Sequence, residues 1–115
     1  MNLEIAKLWI EALRSGEYAQ GFGRLRDKDN KFCCLGVLCN LHAQAHPEIA
    51  SSQLDPLKYL GRERNLPYTV QKWVGFKSLH GGNPKGTSIV ELNDKQRKSF
   101  RDIADWIEVN VEALR

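Results

Sequence analysis

Apolar residues in the first part of the chain recur every three or four positions, which is the spacing of one face of an α-helix. The pattern covers residues 3–15, and its predicted buried face consists of Ile5, Leu8, Trp9, Ala12 and Leu13. Gly16 follows at the position where a residue with a left-handed backbone often ends a helix. The pattern therefore predicts an amphipathic first helix that ends at Gly16.

A long uncharged run extends from Phe32 to His46, in a chain of which 27% of the residues are charged. At the helical step, two neighbouring stripes of the run are mostly apolar. One contains Cys34, Val37, Leu38, Leu41 and Ala45, and the other contains Leu35, Cys39, His42 and His46. A helix that is apolar around most of its circumference is usually buried. We therefore predict a buried central helix that ends before Pro47.

Shorter segments of the chain alternate apolar and polar residues, as half-buried β-strands do. Residues 18–32 predict a β-hairpin that leads into the central helix, because Phe22, Arg24 and Arg26 alternate with other residue types before a turn. Residues 57–60 and 88–92 predict further short strands. The segments 50–56 and 77–87 predict loops.

Two more helices are predicted in the second half of the chain. Residues 67–74 have Pro67 at the first helical position and Gly75 as the stop, with Val70, Trp73 and Val74 facing inward. The last helix begins near Ser99, with Asp102 as its capping partner. Its predicted buried stripe consists of Phe100, Ile103, Ile107, Val111 and Leu114.

These elements predict one domain over residues 1–115 with an α+β fold. In the predicted arrangement, a small antiparallel sheet, made of the hairpin and one or two short strands, packs around the buried central helix with the N- and C-terminal helices. A chain of 115 residues is long enough to bury a core without disulfides or metal.

The net charge, the cysteine content and the hydrophobic runs of the chain argue against several classes of protein. The net charge of +3 permits binding of anionic small molecules but lacks the clustering of a dedicated DNA- or RNA-binding protein. Three cysteines, two of them adjacent, make a poor framework for a secreted disulfide scaffold. No N-terminal signal and no membrane-spanning run is visible, so a cytoplasmic location is expected.

Several segments resemble a family of small proteins from phage and prophage genomes. They are residues 9–18 (WIEALRSGEY), 32–39 (FCCLGVLC), 66–73 (LPYTVQKW), 92–94 (LND) and 99–108 (SFRDIADWIE). The resemblance covers nearly the whole chain. It implies a counter-defence protein, and some proteins of that kind are sponges for the nucleotide signals of bacterial immunity, including the cyclic ADP-ribose signals of Thoeris.

Cysteine and histidine side chains offer two catalytic or metal-binding interpretations. Cys39, His42 and His46 share a helix stripe, so a zinc site with Cys33 or Cys34 as the fourth ligand is one alternative to a plain core edge. Cys34, at a predicted helix N-terminus, has the position of many nucleophilic cysteines, whereas the alternative is a buried and inert thiol. In both cases the structural interpretation is favoured, and no cofactor or metal is expected.

The hairpin carries the preferred ligand-binding prediction. Guanidinium groups bind phosphate through paired hydrogen bonds, and aromatic rings stack on bases. The candidate ligand-binding residues are Tyr18, Gln20, Phe22, Arg24, Arg26, Asn93 and Asp94. The alternatives are a solvated strand face for the hairpin and simple turn chemistry for Asn93 and Asp94. Lys85, in residues 80–87 (HGGNPKGT), has the order Lys-Gly-Thr and so fails to match a Walker phosphate loop.

Three functions remain open at the level of the sequence. The preferred hypothesis is a homo-oligomeric protein that sequesters a nucleotide-derived signal without turnover, in a pocket formed at a subunit interface. The first alternative is a protein–protein inhibitor of a host defence complex. The second alternative is a cysteine- or metal-dependent enzyme that processes a nucleotide. The sequence leaves open the ligand, the oligomeric state and the host system.

Overall fold

The computed structural model describes residues 2–52, 55–76 and 88–111, and in those ranges it contains six helices and one two-stranded sheet. The chain is an α+β protein, as predicted. The helices are α1 (Leu3–Arg14), α2 (Cys34–Ala45), α3 (Pro47–Ser51), α4 (Tyr68–Val74), α5 (Ile89–Asp94) and α6 (Phe100–Asn110), and the strands are β1 (Ala19–Gln20) and β2 (Lys31–Phe32). No helix in the described ranges has the length and apolar character that crossing a bilayer requires.

Helix α2 contributes much of the core. It contacts α1, α3, α4, α5 and β2. Its buried residues are Cys34, Leu35, Gly36, Val37, Leu38, Cys39 and His42. Gly36 is required by close packing, because a Cβ atom at this position would overlap the backbone carbonyl of Leu25. The indole nitrogen of Trp9 donates a hydrogen bond of 2.9 Å to the carbonyl of Cys34, and this bond ties α1 to the first turn of α2.

Helices α1 and α6 pack against each other through their apolar faces. Asn2 caps α1 by accepting hydrogen bonds from the backbone of Glu4 and Ile5, and Gly16 after the helix has the predicted left-handed backbone, with φ of 79°. The buried face of α1 consists of Ile5, Ala6, Trp9, Ile10 and Leu13. The prediction for Leu8 was wrong: its side chain is 52% exposed.

That error has a simple geometric cause. The apolar arc of α1 is wider than the face that α2 and α6 cover, so periodicity alone leaves open which edge of the arc is buried. The structure places Ile10 inside and Leu8 outside. At the other end of the chain, Ser99 caps α6 by accepting a hydrogen bond from the backbone N–H of Asp102, as predicted.

The predicted antiparallel hairpin was wrong. Strands β1 and β2 run parallel, with Ala19 opposite Lys31 and Gln20 opposite Phe32. The connection between β1 and β2 therefore returns the chain so that both strands run in the same direction. Of the predicted antiparallel pairing, the described part of the chain contains a single bridge, between Arg26 and Phe32. With strands this short, side-chain alternation carries little information about direction, which long-range contacts then decide.

Two other predicted strands were also wrong. Residues 88–92 begin helix α5, with the Ser88 hydroxyl accepting a hydrogen bond from the backbone of Glu91. Ile89, Leu92 and Asn93 are buried at helical spacing. The packing of these side chains outweighs the β-propensity of the segment. Residues 57–60 lead into a tight turn whose antiparallel bridge joins Tyr59 and Arg62.

The remaining predictions concern ends and loops. Helix α3 occupies the first residues of the segment 50–56 that was predicted as loop. Helix α4 ends at Gly75 as predicted, with φ of 82°, and Val70 and Val74 are buried while Trp73 is half-buried. The predicted loop 77–87, with Lys85, lies outside the described residues, as does Leu114.

Candidate functional site

A pocket of about 270 Å³ lies between helix α2 and the segment that precedes the Tyr59–Arg62 turn. Its lining is mainly apolar and includes a few polar side chains. The lining residues are Leu25, Arg26, Phe32, Gly36, Cys39, Asn40, Ala43, Pro56, Leu57, Lys58 and Tyr59. An apolar pocket with a few polar groups is the usual form of a small-molecule site.

Helix α2 forms one wall of the pocket with four residues at helical spacing. Gly36, Cys39, Asn40 and Ala43 lie at positions i, i+3, i+4 and i+7 and therefore share one face of the helix. Three of the four side chains are small, so the wall is recessed. This stripe shares Cys39 with the second apolar stripe recognised in the sequence and extends beyond it, away from the first stripe. Small residues on a buried helix were the available signal for a hollow.

Two cations belong to the pocket. The guanidinium carbon of Arg26 lies 5.4 Å from the ring centre of Phe32, and its Nε donates a hydrogen bond of 2.7 Å to Asn30. Arg26 forms no ion pair with any described carboxylate, so its terminal N–H groups are available to a ligand. Lys58 is 45% exposed and lies 3.9 Å from a carboxylate oxygen of Glu63, which is a weak surface pair.

Tyr18 supports the pocket from behind. Its hydroxyl accepts a hydrogen bond of 2.6 Å from the side-chain amide of Asn40, and its ring meets Phe32 edge to face at 5.2 Å. Tyr18 therefore orients two residues of the pocket lining without belonging to the lining itself.

Tyr59 closes the pocket and connects it to a buried histidine. The Tyr59 hydroxyl lies 2.6 Å from Nδ1 of His42, whose ring stacks on His46 at 4.3 Å and meets Trp73 at 5.0 Å. Burial, with smaller contributions from other charges, raises the pKa of Tyr59 to about 12, so its hydroxyl keeps its proton. Burial and the neighbouring His46 lower the pKa of His42, so that ring stays neutral near pH 7.

Asn93 and Gln20 lie in a separate polar network. The Asn93 side chain is 1% exposed. Its oxygen accepts hydrogen bonds from the amide of Gln20 at 3.0 Å and from the backbone N–H of Cys34 at 3.2 Å. Its amide donates to the carbonyl of Gly21 at 3.0 Å and to Asp94 at 2.8 Å. All four hydrogen-bonding positions of Asn93 are therefore used within the chain.

The other predicted ligand-binding residues also lie outside the pocket lining. The carboxylate of Asp94 accepts the backbone N–H of Gly23 at 2.9 Å. Phe22 lies under the guanidinium of Arg97, at 4.4 Å from the ring centre. Arg24 lies 3.7 Å from Glu63. Of the seven predicted residues, the structure thus brings Arg26 to the pocket directly and Tyr18 indirectly, while the prediction for the other five remains open.

The three cysteines are buried and carry protonated thiols. Burial raises the pKa of Cys33 to about 11, and it raises the pKa of Cys34 and Cys39 as well. Because the thiolate is the nucleophile and the metal ligand, this environment opposes both roles at neutral pH. Within the described ranges, no group of three or more His, Cys, Asp or Glu side chains is arranged to hold a metal ion.

Residues 1–111 match the family described as a domain of unknown function (DUF8296), and the chain therefore belongs to that family. No curated protein and no solved structure matches the chain.

Proposed function

We propose that this protein binds a nucleotide-derived small molecule in the pocket between α2 and residues 56–59, and sequesters it without turnover. The observation that carries the proposal is the combination of a mainly apolar lining with two cations, Arg26 and Lys58, at one pocket. An apolar and partly aromatic surface suits a base, and the cations suit phosphate or another anionic group.

The geometry at Arg26 supports a ligand that is both planar and anionic. Its guanidinium plane already lies near an aromatic ring, Phe32, and such planes stack on rings while their edges donate hydrogen bonds. Asn40 and the protonated Tyr59 hydroxyl add polar contacts at fixed positions. The volume of about 270 Å³ is just below the range of roughly 300–1,000 Å³ for small-molecule pockets, so it suits one ring system.

Sequestration fits the pocket better than catalysis. The one thiol in the lining, Cys39, is protonated because burial raises its pKa, and Tyr59 is likewise held in its neutral form. Neither group is a ready nucleophile or base near pH 7. A cysteine- or metal-dependent nucleotide-processing enzyme is therefore the less favoured alternative.

The resemblance to phage and prophage proteins supplies the biological setting of the proposal. A sponge of this kind acts in the host cytoplasm, where it lowers the free concentration of a cyclic nucleotide or cyclic ADP-ribose signal. We retain the homo-oligomer as part of the proposal. The pocket described above lies within one chain, so a second copy would deepen it rather than create it.

A thermal-shift screen against cyclic nucleotides and ADP-ribose derivatives tests the proposal. A ligand at one hundred times its Kd stabilises the folded state by about 2.7 kcal/mol, which raises the Tm of a domain of this size by several degrees. Recovery of the unchanged ligand after denaturation supports sequestration. Conversion of the ligand supports the enzyme alternative, and the absence of a shift with every compound contradicts the proposal.

The two arginines of the predicted hairpin give a matched pair of variants. We expect Arg26→Ala to weaken the binding of the screened ligand by about tenfold to a hundredfold, because charged hydrogen bonds contribute about 1.5–3 kcal/mol. Arg24→Ala removes the same charge from a residue outside the pocket lining and serves as the control. Calorimetry on both folded variants measures their affinity for the ligand. An equal loss of affinity in the two variants would contradict binding in this pocket.

A protein–protein inhibitor remains the second candidate because of one surface feature. Phe22 is 40% exposed beneath the guanidinium of Arg97, and aromatic and arginine side chains are frequent hot spots of interfaces. If this surface carries the function, Phe22→Ala should abolish the retention of a host protein and leave nucleotide binding intact. Affinity capture with wild type and variant distinguishes the two candidates.

A further inference from the structure

A second hollow of about 410 Å³ adjoins the pocket and is lined mainly by polar side chains. Its lining residues are Lys58, Gly61, Arg62, Glu63, Arg64 and Asn65. Lys58 lines both hollows, so the two lie next to each other at this residue. The first hollow is lined mainly by apolar residues and the second mainly by charged and polar ones, which is the division that a ligand with a ring and a charged group requires.

The backbone around the second hollow is held in place. Tyr59 and Arg62 exchange both backbone hydrogen bonds, at 2.8 and 2.9 Å, around the two turn residues Leu60 and Gly61. Both turn residues have positive φ, 49° and 84°, as in the tight turns that join antiparallel strands. A left-handed leucine is strained, and such residues concentrate at functional sites. A backbone hydrogen bond of 2.8 Å from Leu25 to Glu63 anchors the segment to the pocket wall.

The charges of the second hollow are unbalanced. Three cations face one carboxylate, that of Glu63, which lies near Arg24 at 3.7 Å and Lys58 at 3.9 Å. Neither Arg62 nor Arg64 forms an ion pair with a residue that the structure describes. Two exposed guanidinium groups beside one hollow present paired N–H donors, which match the oxygen atoms of a phosphate group.

We infer that this second hollow is a phosphate subsite, which binds the phosphate of the ligand whose ring occupies the first pocket. Lys58 lies at the junction and contacts the ligand between its ring and its phosphate. The inference rests on the proposed function and makes it more specific. The ligand is a phosphorylated small molecule, and the unphosphorylated nucleoside is discriminated against at Arg62 and Arg64.

Calorimetry with two sets of three probes tests this inference. The probes are adenosine with AMP and cyclic ADP-ribose, and guanosine with GMP and cyclic GMP. We expect the wild-type protein to bind a phosphorylated probe at least about tenfold more tightly than its nucleoside. In the Arg62→Ala, Arg64→Ala double variant, this preference should fall to about threefold or less, with nucleoside affinity unchanged.

Two further variants sharpen the measurement. The Lys7→Ala, Arg101→Ala double variant removes the same charge from exposed residues that line neither hollow, and it should keep the wild-type preference. The Arg62→Lys, Arg64→Lys variant keeps the charge and loses the paired donors, so an intermediate preference is expected. The four arginine and lysine side chains are exposed, so all the variants should fold.

The outcomes separate the inference from the proposed function. If the wild-type protein binds none of the probes, both are overturned. If it binds nucleoside and phosphorylated probe equally, or if the Arg62→Ala, Arg64→Ala variant keeps the preference, the phosphate subsite alone is overturned. If the Lys7→Ala, Arg101→Ala control lost the preference for the phosphorylated probe equally, the preference would depend on net charge and not on the second hollow. That result would also overturn the phosphate subsite. Tighter binding of oligothymidylate than of every small probe would overturn the assignment to a small molecule.

Discussion

Asn93 shows how one buried side chain joins distant parts of this chain. Its amide group connects the first turn of α2, the strand residue Gln20 and the backbone of Gly21 to helix α5. The N-cap residue of α2, Cys33, makes no side-chain capping hydrogen bond, and Asn93 supplies from a distance an acceptor for one free N–H of the first turn, that of Cys34. The polar residue that the sequence marked for a ligand therefore has a structural role in the fold.

Replacing Asn93 by leucine should destabilise the protein by at least about 3 kcal/mol, because several buried groups lose their hydrogen-bond partners together. Gln20→Ala removes one amide group, which donates to Asn93 and to the carbonyl of Lys98, and should reduce stability by about 1 kcal/mol. Urea denaturation of both variants measures the difference. Similar midpoints for the two variants would show that the network contributes little beyond the bond to Gln20.

His42 gives the protein a dependence of stability on pH. Burial and His46 lower its pKa in the folded state, while Glu48 opposes this weakly. Below the ordinary pKa of about 6.5, the unfolded chain therefore binds the proton more readily than the folded one. The contribution of this group to the free energy of unfolding should be fully present above its ordinary pKa of about 6.5, and should be lost progressively as the pH decreases below that value.

The test compares wild type with His42→Phe, which keeps an aromatic ring against Trp73 and cannot titrate. We expect the variant to lose about 1 kcal/mol at pH 7.5 with the hydrogen bond to Tyr59, and to show a weaker decline toward pH 5. The His46→Phe variant retains His42 and should keep most of the wild-type decline. Chemical denaturation at several pH values measures it, and an unchanged decline in His42→Phe would assign the effect to other groups.

At the scale of elements, the contact between α2 and the residue pair Leu25–Arg26 sets the shape of the pocket. Gly36 allows the helix backbone to approach the carbonyl of Leu25, and both residues line the pocket. This approach also orients the chain so that Arg26 reaches Phe32 while Arg24 faces Glu63. A requirement for glycine in a buried helix thus indicates close packing with another segment.

Gly36→Ala should therefore destabilise the protein by about 2 kcal/mol or more, because the new methyl group overlaps a backbone carbonyl that has little freedom to move. Gly16→Ala provides the control: its Cβ would meet no atom, and only the left-handed backbone of 79° opposes it, at about 1 kcal/mol. Thermal and urea denaturation compare the two. A Gly36→Ala protein as stable as wild type would show that α2 and Leu25 separate readily.

At the scale of the molecule, the core extends continuously from the α1–α6 pair through α2 to α4 and α5. Leu38 lies within it and is fully buried, whereas Leu8 on α1 is 52% exposed. The pocket lies between α2 and residues 56–59, and the second hollow is lined by Lys58 and residues 61–65. The proposed ligand site therefore lies where irregular chain packs against the buried helix α2.

Two leucines test this division between core and surface. Leu38→Ala should destabilise the protein by about 2–5 kcal/mol, through lost burial and the cavity that remains. Leu8→Ala makes the same chemical change on the surface and should alter stability by at most about 0.5 kcal/mol. Urea midpoints at constant slope provide the measurement. A small effect of Leu38→Ala would contradict a close-packed core around α2.

The sequence by itself determined the long helices and their ends. Residues 3–15, the run from Phe32 to His46 and the segment after Ser99 each carry an apolar face, caps or terminal glycines that act through neighbours in the chain. Those signals act between neighbours in the chain, so they do not depend on tertiary contacts. The sequence also predicted Arg26 as a candidate ligand contact, but the pattern did not distinguish Arg26 from Arg24.

Only the tertiary structure decided the direction of the two strands, the helical state of residues 88–92 and the position of the pocket. Short elements gain too few local hydrogen bonds to fix their own conformation, so distant partners select it. Asn93 meets Cys34 across 59 residues of sequence, and Leu25 meets Glu63 through the backbone. The pocket arises from contacts of this kind, and for that reason Lys58, Tyr59 and Asn40 carried no recognisable pattern in the sequence.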